Sequence, residues 1–369
     1  MTQIKVDNVV NAAGSGKPDF TDGITVAGGA ISSLNLYQYT SSGTEPTSPK
    51  NGAIWWDTAN EKYKVYLDGE FKEIELSGGG AAAVWYGDRG LFAGDSSNSN
   101  VIQYVDITTP SNATDFGDLT VGVYRAAGCS DGTYGLVGGG STGAAQNTIG
   151  YVTTATTGNA TDFGDLTIAR DGAGSCSDGT YGLWGQGFNG TTFIDSIDYV
   201  TIQTTGNATA FGNATQTGYY VASCSNATYG LFAGRGNTTV NNVIAYVTIA
   251  TTGNATDFGD LTEAKGRGAM SSNDTYGLYF GGANLNGISL NVIEYVTIDT
   301  PSNATDFGDI TVARTEIASC SNGTYGLAAG GVGQNIIDYV TIATTGNATD
   351  FGDLLSAKSR LAGLSGSAA

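Results

Sequence analysis

Apolar positions in this chain come in short runs, none reaching the roughly 18 residues of a membrane-spanning helix, and clusters of Gly, Ser, Asn and Asp separate them. That pattern predicts strands and turns. Lys62-Tyr63-Lys64-Val65-Tyr66-Leu67 alternates with a period of two, Asp68-Gly69 supplies a tight turn, and Phe71-Lys72-Glu73-Ile74-Glu75 returns. From Gly90 onward one four-strand layout recurs: strand a over 172–177, strand b over 181–185, strand c over 197–202 and strand d over 210–215. Strand a is built from Ala, Gly, Ser and Cys. Strand b places Tyr181 and Leu183 on one face to pack between sheets, with Gly182 admitting a neighbouring backbone, and strand c carries Tyr199 and Val200 among β-branched residues.

The layout keeps time. The phenylalanine of the DFGDL unit falls at Phe116, Phe163, Phe211, Phe258, Phe307 and Phe351, giving spacings of 47, 48, 47, 49 and 44. YGL marks a second clock at Tyr134, Tyr181, Tyr229, Tyr276 and Tyr325, with Arg89-Gly90-Leu91 as a damaged sixth copy. Periods this long exclude leucine-rich, ankyrin and tetratricopeptide repeats and leave the blade of a β-propeller, whose crowded axis explains the small residues of strand a. After Phe351, Leu361-Ala362-Gly363-Leu364-Ser365-Gly366 matches Ala126-Ala127-Gly128-Cys129-Ser130-Asp131 as a lone strand a. It completes a first blade that has only strands b, c and d, over about 88–120. Residues 81–86 compete for that slot, but Trp85 and Tyr86 are bulky for an axial strand.

The repeat, R-x-x-A-G-x-S-D-G-x-Y-G-L-x-x-G-G followed by a Tyr and a later aromatic, resembles the kelch motif, with Phe in place of Trp at the last position. The expected fold is therefore all-β: a six-bladed kelch-like propeller of four-stranded blades over 81–369, closed by the C-terminal strand and preceded by a small β-rich N-terminal region. That region reads as a segment over 1–48, with turns at Gly14-Ser15-Gly16-Lys17-Pro18 and Asp22-Gly23, and a β-meander with a glycine linker over 49–80. IKVDNVVNAAGSGKPDF and PTSPKNGAIWWDTANEKYKVYLDGEFKEI resemble N-terminal segments of structural proteins of tailed bacteriophages, especially tail-fibre or appendage proteins of marine phages. The resemblance covers about the first 80 residues. It implies a virion protein assembled in the host cytoplasm, docked on the particle through this end to other virion proteins, and a homo-oligomer, trimeric as fibres are.

Composition narrows the function. Glycine is 57 of 369 residues, charged residues are 13%, and the net charge of -19 argues against nucleic acid or an anionic membrane as a partner. The start lacks the regions of a signal peptide, so a soluble cytoplasmic product is expected and no membrane insertion. Without histidine the Ser-His-Asp triad and most zinc sites are gone, and neither an enzyme, a cofactor nor a metal is expected. The D-x-x-D pairs, such as Asp115 with Asp118, lack the spacing of a calcium loop and read as turn caps. Asn-Ala-Thr at Asn112, Asn159, Asn207, Asn254, Asn303 and Asn347 looks like a glycosylation sequon but reads as a c–d turn. Cys129, Cys176, Cys224 and Cys320 each follow their phenylalanine by 13 residues, hence lie in different blades, and read as small buried side chains rather than a disulfide set.

Strand alternation puts the a–b and c–d turns on one face, where the sequence is nearly constant, and the b–c loops and d–a connections on the other, where it varies. The variable face is expected to carry a ligand rim: the cations Arg170, Lys265, Arg314 and Lys358, each seven residues after its phenylalanine, with Phe188, Phe193 and Arg235 from b–c loops. Cations and aromatics over a rigid ring suit an anionic or neutral glycan. The expected function is a non-enzymatic phage fibre or appendage protein that binds a host-surface glycan. A purely structural decoration protein and a glycan-cleaving enzyme are the rival classes.

Overall fold

The computed structural model describes residues 86–236 and 240–368 throughout and, before residue 86, nine strands together with Thr44, Thr47 and Ala53. The turns expected at 14–17, 22–23 and 68–69, the glycine joint at 77–80 and most of the competing segment, 81–85, lie outside the described residues. The chain forms two compact units, Met1–Ala82 and Ala83–Ala369. In the first, strands from both expected pieces share one sheet, where Ile4–Val6 runs antiparallel to Ile24–Val26 and parallel to Glu70–Glu75. The meander continues from Glu70–Glu75 through Lys62–Leu67 to Ile54–Asp57. Trp55 is its buried anchor, edge-on to Phe71 at 5.3 Å.

The second unit is a six-bladed β-propeller, all-β, each blade an antiparallel sheet with strands in the order a-b-c-d from the axis outward. In the third blade the strands are Gly174–Ser177, Tyr181–Phe188, Phe193–Thr201 and Thr209–Asn213. The first blade has Arg89–Ala93, Val101–Asp106 and Thr114–Asp118, and Ala362–Gly366 supplies its strand a, with Leu91 opposite Leu364. Closure by the C-terminal strand is thus the observed arrangement. In the fourth blade strand d runs on to Gly266 and pairs there with Ala283–Asn284 from the next blade's b–c loop.

Each blade carries an aromatic ladder. Tyr181 of strand b meets Tyr199 of strand c edge-on at 5.8 Å, and Tyr199 meets Phe211 of strand d at 5.9 Å. The damaged first copy keeps the ladder by other means, because the Arg89 guanidinium lies 4.7 Å from the centre of the Tyr104 ring and donates to the Thr154 carbonyl at 3.0 Å.

Two rings of hydrogen bonds lace the blades together. At the axis, Ser130, Ser177, Ser225, Ser272, Ser321 and Ser365 occupy one position of strand a, and each hydroxyl donates to the carbonyl of the serine one blade back, at 2.5–2.7 Å. The cycle closes where Ser130 donates to the Ser365 carbonyl. At the periphery the Asn of each Asn-Ala-Thr accepts from strand d of the preceding blade: Asn159 from the Asp118 N–H, and so round to Asn112 from the Asp353 N–H, each at 3.0 Å. The Asn does lie in the c–d turn as expected, but it joins two blades rather than capping its own turn. The cap falls instead to the Asp or Asn of the a–b turn, as where Asp178 accepts from the Thr180 and Tyr181 N–H groups at 2.8 Å.

The core lies between blades rather than within them, in six apolar clusters that each draw on two neighbours, as where Leu183, Ile197 and Phe211 pack on Phe232 and Ile249. Here the YGL glycine finds its reason. A methyl group on Gly182 would stand 2.7 Å from Cys129 Sγ of the preceding blade, and Gly230 and Gly277 face Cys176 and Cys224 in the same way at 2.5 and 2.7 Å. The close neighbour is a side chain, not the backbone that the sequence led us to expect. Gly182→Ala should destabilise by about 1–3 kcal/mol through overpacking, and Cys129→Ala in the same chain should recover most of it. Chemical denaturation of the two single variants and the double variant measures the coupling; additive effects would show that the thiol is not the reason for the glycine.

Candidate functional site

The four cations expected on the rim are inside the blades. Arg170 and Lys265 have no exposed surface, Arg314 is 2% exposed and Lys358 8%. Each bonds a carboxylate: Arg170 with Asp198, Lys265 with Glu294 and Arg314 with Asp338, all at 2.8 Å, and Lys358 with Asp95 at 2.5 Å. Arg170 also donates to the carbonyls of Gln186 and Ser196, so it ties strands b and c to the connection that precedes strand a. The rim reading of these four is corrected on that ground, because a buried, paired guanidinium or ammonium does not meet a ligand. The blades lacking the cation lack the carboxylate as well: Val123 goes with Gly150, and Gly218 with Ala245.

The other three expected residues are at the b–c end of their blades, but in the paired ends of strands b and c rather than in the b–c loops. Phe188 and Phe193 face each other at 5.3 Å across the paired ends of strands b and c in the third blade, both partly exposed. Arg235 is half-buried at the end of its strand b and donates to the Thr217 carbonyl at 2.8 Å.

The site that emerges is the mouth of the axial channel on this face. Two residues beyond the cation slot of each repeat, the chain turns into strand a through one left-handed residue: Arg125, Gly172, Tyr220, Arg267, Glu316 and Arg360, with φ between 57 and 64°. Five of the six are not glycine. The conformation costs such residues about 1–2 kcal/mol each, and the ring holds it with inter-blade bonds: the Arg125 N–H donates to the Arg360 carbonyl at 2.8 Å, Gly172 to Arg125 at 2.9 Å, Glu316 to Arg267 at 2.7 Å and Arg360 to Glu316 at 3.0 Å.

These elbows line a cavity of about 80 Å³. Arg360 donates to Glu316 through Nε at 2.7 Å and Nη2 at 3.1 Å, and the Tyr220 hydroxyl donates to Glu316 at 3.0 Å from across the mouth. Arg125 lies 3.6 Å from Asp171, and its guanidinium approaches the Tyr124, Tyr219 and Tyr220 rings to 4.8, 5.4 and 4.9 Å. Arg267 is exposed, 5.1 Å from the Tyr220 ring, with no carboxylate partner among the described residues. Burial, then the Glu316 charge, pushes the Tyr220 phenol up to about 12; the bond to Glu316 raises the Arg360 guanidinium; and burial outweighs Arg125 to raise the Asp171 carboxyl. Tyr220 stays a hydrogen-bond donor, and three guanidiniums face Glu316 and Asp171. Outward from the mouth, Tyr219 meets Tyr220 at 4.4 Å, Phe193 at 5.6 Å and Phe188 at 5.9 Å, a continuous aromatic path to the rim.

Below the mouth a cavity of about 140 Å³ is walled by the six axial strands, and a further 70 Å³ lies among the Cys and Ser positions, where Tyr86 stands at the a–b turn end beside Asp274. Tyr86 thus lies at the opposite end of the axis from the arginine mouth. All four thiols are free and buried; burial pushes Cys224 up to about 12 and raises the other three. Among the described residues no His, Cys, Asp and Glu group is arranged to hold a metal, and no helix is long and apolar enough to cross a membrane.

Exposed large aliphatic side chains also sort by face. Leu285, Ile288 and Val332 sit in b–c loops, and Val121, Ile168, Val312 and Leu355 in the connections after strand d; among the described residues none of this kind lies on the constant face. In comparisons with known proteins, no protein-family model and no curated sequence matches the chain.

The mouth residues Arg125, Tyr219, Tyr220, Arg267, Glu316 and Arg360 were missed by reasoning from the repeat. For all but Tyr219 the signal was the slot nine residues after each phenylalanine, which reads Arg, Gly, Tyr, Arg, Glu, Arg within an otherwise steady pattern.

For the buried pairs, Arg314→Met should destabilise by about 3–5 kcal/mol because it strands Asp338, whereas Arg314→Met with Asp338→Leu should recover most of that; denaturant midpoints of the three proteins test it. For Asp95, burial alone would raise the carboxyl, but bonds from Lys358 and Ser97 outweigh it and hold it below its ordinary value. Its stabilisation is then complete above the unfolded-state value and lost as pH falls through the folded one. Thermal unfolding between about pH 5 and pH 1 should fall less steeply in Asp95→Asn than in wild type, and identical slopes would rule out this contribution.

Proposed function

We propose that this chain is a virion protein of a tailed bacteriophage, a fibre or appendage component, whose N-terminal region docks on the particle and whose propeller binds a host-surface glycan without cleaving it. The docking half rests on the resemblance of the first 80 or so residues. The binding half rests on one observation: the exposed aliphatic residues, the Phe188–Phe193 pair and the arginine mouth share one face of the propeller. Clustered apolar and aromatic surface on variable loops is the property of an interaction site. A binding rather than a cleaving role is favoured because the carboxylates at the mouth, Glu316 and Asp171, are engaged by Arg360 and Arg125, and the chain has no histidine to serve as a base.

The test is binding of labelled full-length protein to intact cells of the bacterium the phage infects. Phe188→Ala and Ile288→Asp should each weaken attachment about tenfold, equivalent to about 1.4 kcal/mol, whereas Thr205→Lys on the constant face should leave it unchanged. If the wild-type chain attaches to no cells, the purely structural role holds instead. Equal loss from Thr205→Lys would remove the assignment to this face.

A further inference from the structure

We infer that the mouth of the channel is a carboxylate subsite, which takes the acid group of a uronic-acid-type sugar. This rests on the proposed glycan-binding function and names the chemistry of its ligand. Arg267 carries the argument. It projects from a left-handed elbow where glycine would be the unstrained residue, as Gly172 is two blades away, and its stem lies over Gly236, where even a methyl group would come within 2.8 Å of Arg267 Cγ. Its guanidinium is exposed at the cavity, held against the Tyr220 ring and without a carboxylate of its own among the described residues. Arg125 adds an unfilled donor, since its Nε is buried and makes no hydrogen bond. A planar carboxylate is the group that two such forks bind best.

The remaining features select a sugar acid over a more highly charged anion. Glu316 lines the cavity with the three guanidiniums and Asp171 lies 3.6 Å from Arg125 outside that lining, so the surplus is one positive charge, which a monoanion neutralises and a dianionic phosphate exceeds. Glu316, with both oxygens already accepting, still has lone pairs for a sugar hydroxyl, and the protonated Tyr220 phenol fixes its orientation. The cavity of about 80 Å³ holds more than the roughly 30 Å³ share of one water. It suits a carboxyl group and its adjoining carbons rather than a whole ring. The ring itself would rest outside, along Tyr219, Phe193 and Phe188, whose faces pack against the C–H surfaces of sugars.

Calorimetric titration of the full chain with glucuronate and with galacturonate tests this, with the methyl ester of each and inorganic phosphate as comparison probes. The expected result is binding of at least one free acid, a tenfold or greater weakening for its ester, and weaker binding of phosphate. Arg267→Gly should weaken the acid at least tenfold while unfolding no earlier than wild type, because glycine relieves the elbow. If neither acid binds while the wild-type protein still attaches to cells, the subsite falls and the proposed function stands. If an acid binds with these properties but no cells are bound, the subsite stands and the attachment role falls. An ester or phosphate as tight as the acid, or an Arg267→Gly protein that binds like wild type, would overturn the assignment.

Discussion

The inner edge of strand a is the constraint on which the propeller depends. In each blade this strand pairs with strand b on one side and has no strand on the other, so its inward carbonyls are buried at the axis without a ladder partner. An unsatisfied buried carbonyl costs about 1–3 kcal/mol. The six serines resolve it with one hydroxyl per joint, each directed one blade back. Because the bonds form a cycle, no joint is terminal, including the one between the sixth blade and a first blade whose inner strand comes from the opposite end of the chain. The peripheral asparagines repeat the device at large radius, where the separation between blades is greater and a longer side chain is required.

Crowding at the axis then dictates what the other positions hold. A strand a side chain points into the next blade, a thiol at four joints and Ser271 or Leu364 at the other two, and the residue opposite it must be glycine, which fixes the G of YGL. Diversity is displaced to where space opens, at the elbow that leads into strand a. There the backbone is held by inter-blade bonds, so the ring tolerates five non-glycine residues in a strained conformation. Strain that the scaffold over-determines is found where side chains have a task beyond folding. The buried cation–carboxylate pairs anchor the segment immediately before that elbow in four of the six blades, so the variable face sits on a fixed base.

The period, the strand order and the closing C-terminal strand were legible in the chain because each repeat states the same packing problem and 361–366 restates half of it. The sense of Gly182 and Asn159 was not, since their partners, Cys129 and Asp118, belong to neighbouring blades 53 and 41 positions away and a single repeat contains no trace of them. The cations misled for a physical reason. A lone Arg or Lys in a loop-like segment of an acidic chain is usually solvated, and Arg170 finds Asp198 only after two strands intervene. The joint absence of both charges at Val123 with Gly150 and at Gly218 with Ala245 was the readable sign of pairing. The mouth residues lay two positions further on, in a stretch whose left-handed turn no local motif announces when its residues are Arg, Tyr or Glu.

The whole-chain charge sharpens what the mouth can do. A body of net charge -19 repels an approaching anion, and screening limits that repulsion to about 8 Å at physiological ionic strength. Long-range steering therefore works against the anionic ligand rather than for it. Recognition has to come from contact: guanidiniums already stripped of part of their water by tyrosine rings, set by a backbone that needs no rearrangement to present them. Such preorganisation lowers the entropy lost on binding, and under the proposed function a face repeated on each particle-bound copy would convert weak single contacts into firm attachment. A small, rigid, contact-driven mouth is thus suited to a repeating acidic polymer at high local density, and poorly suited to capturing a dilute soluble anion.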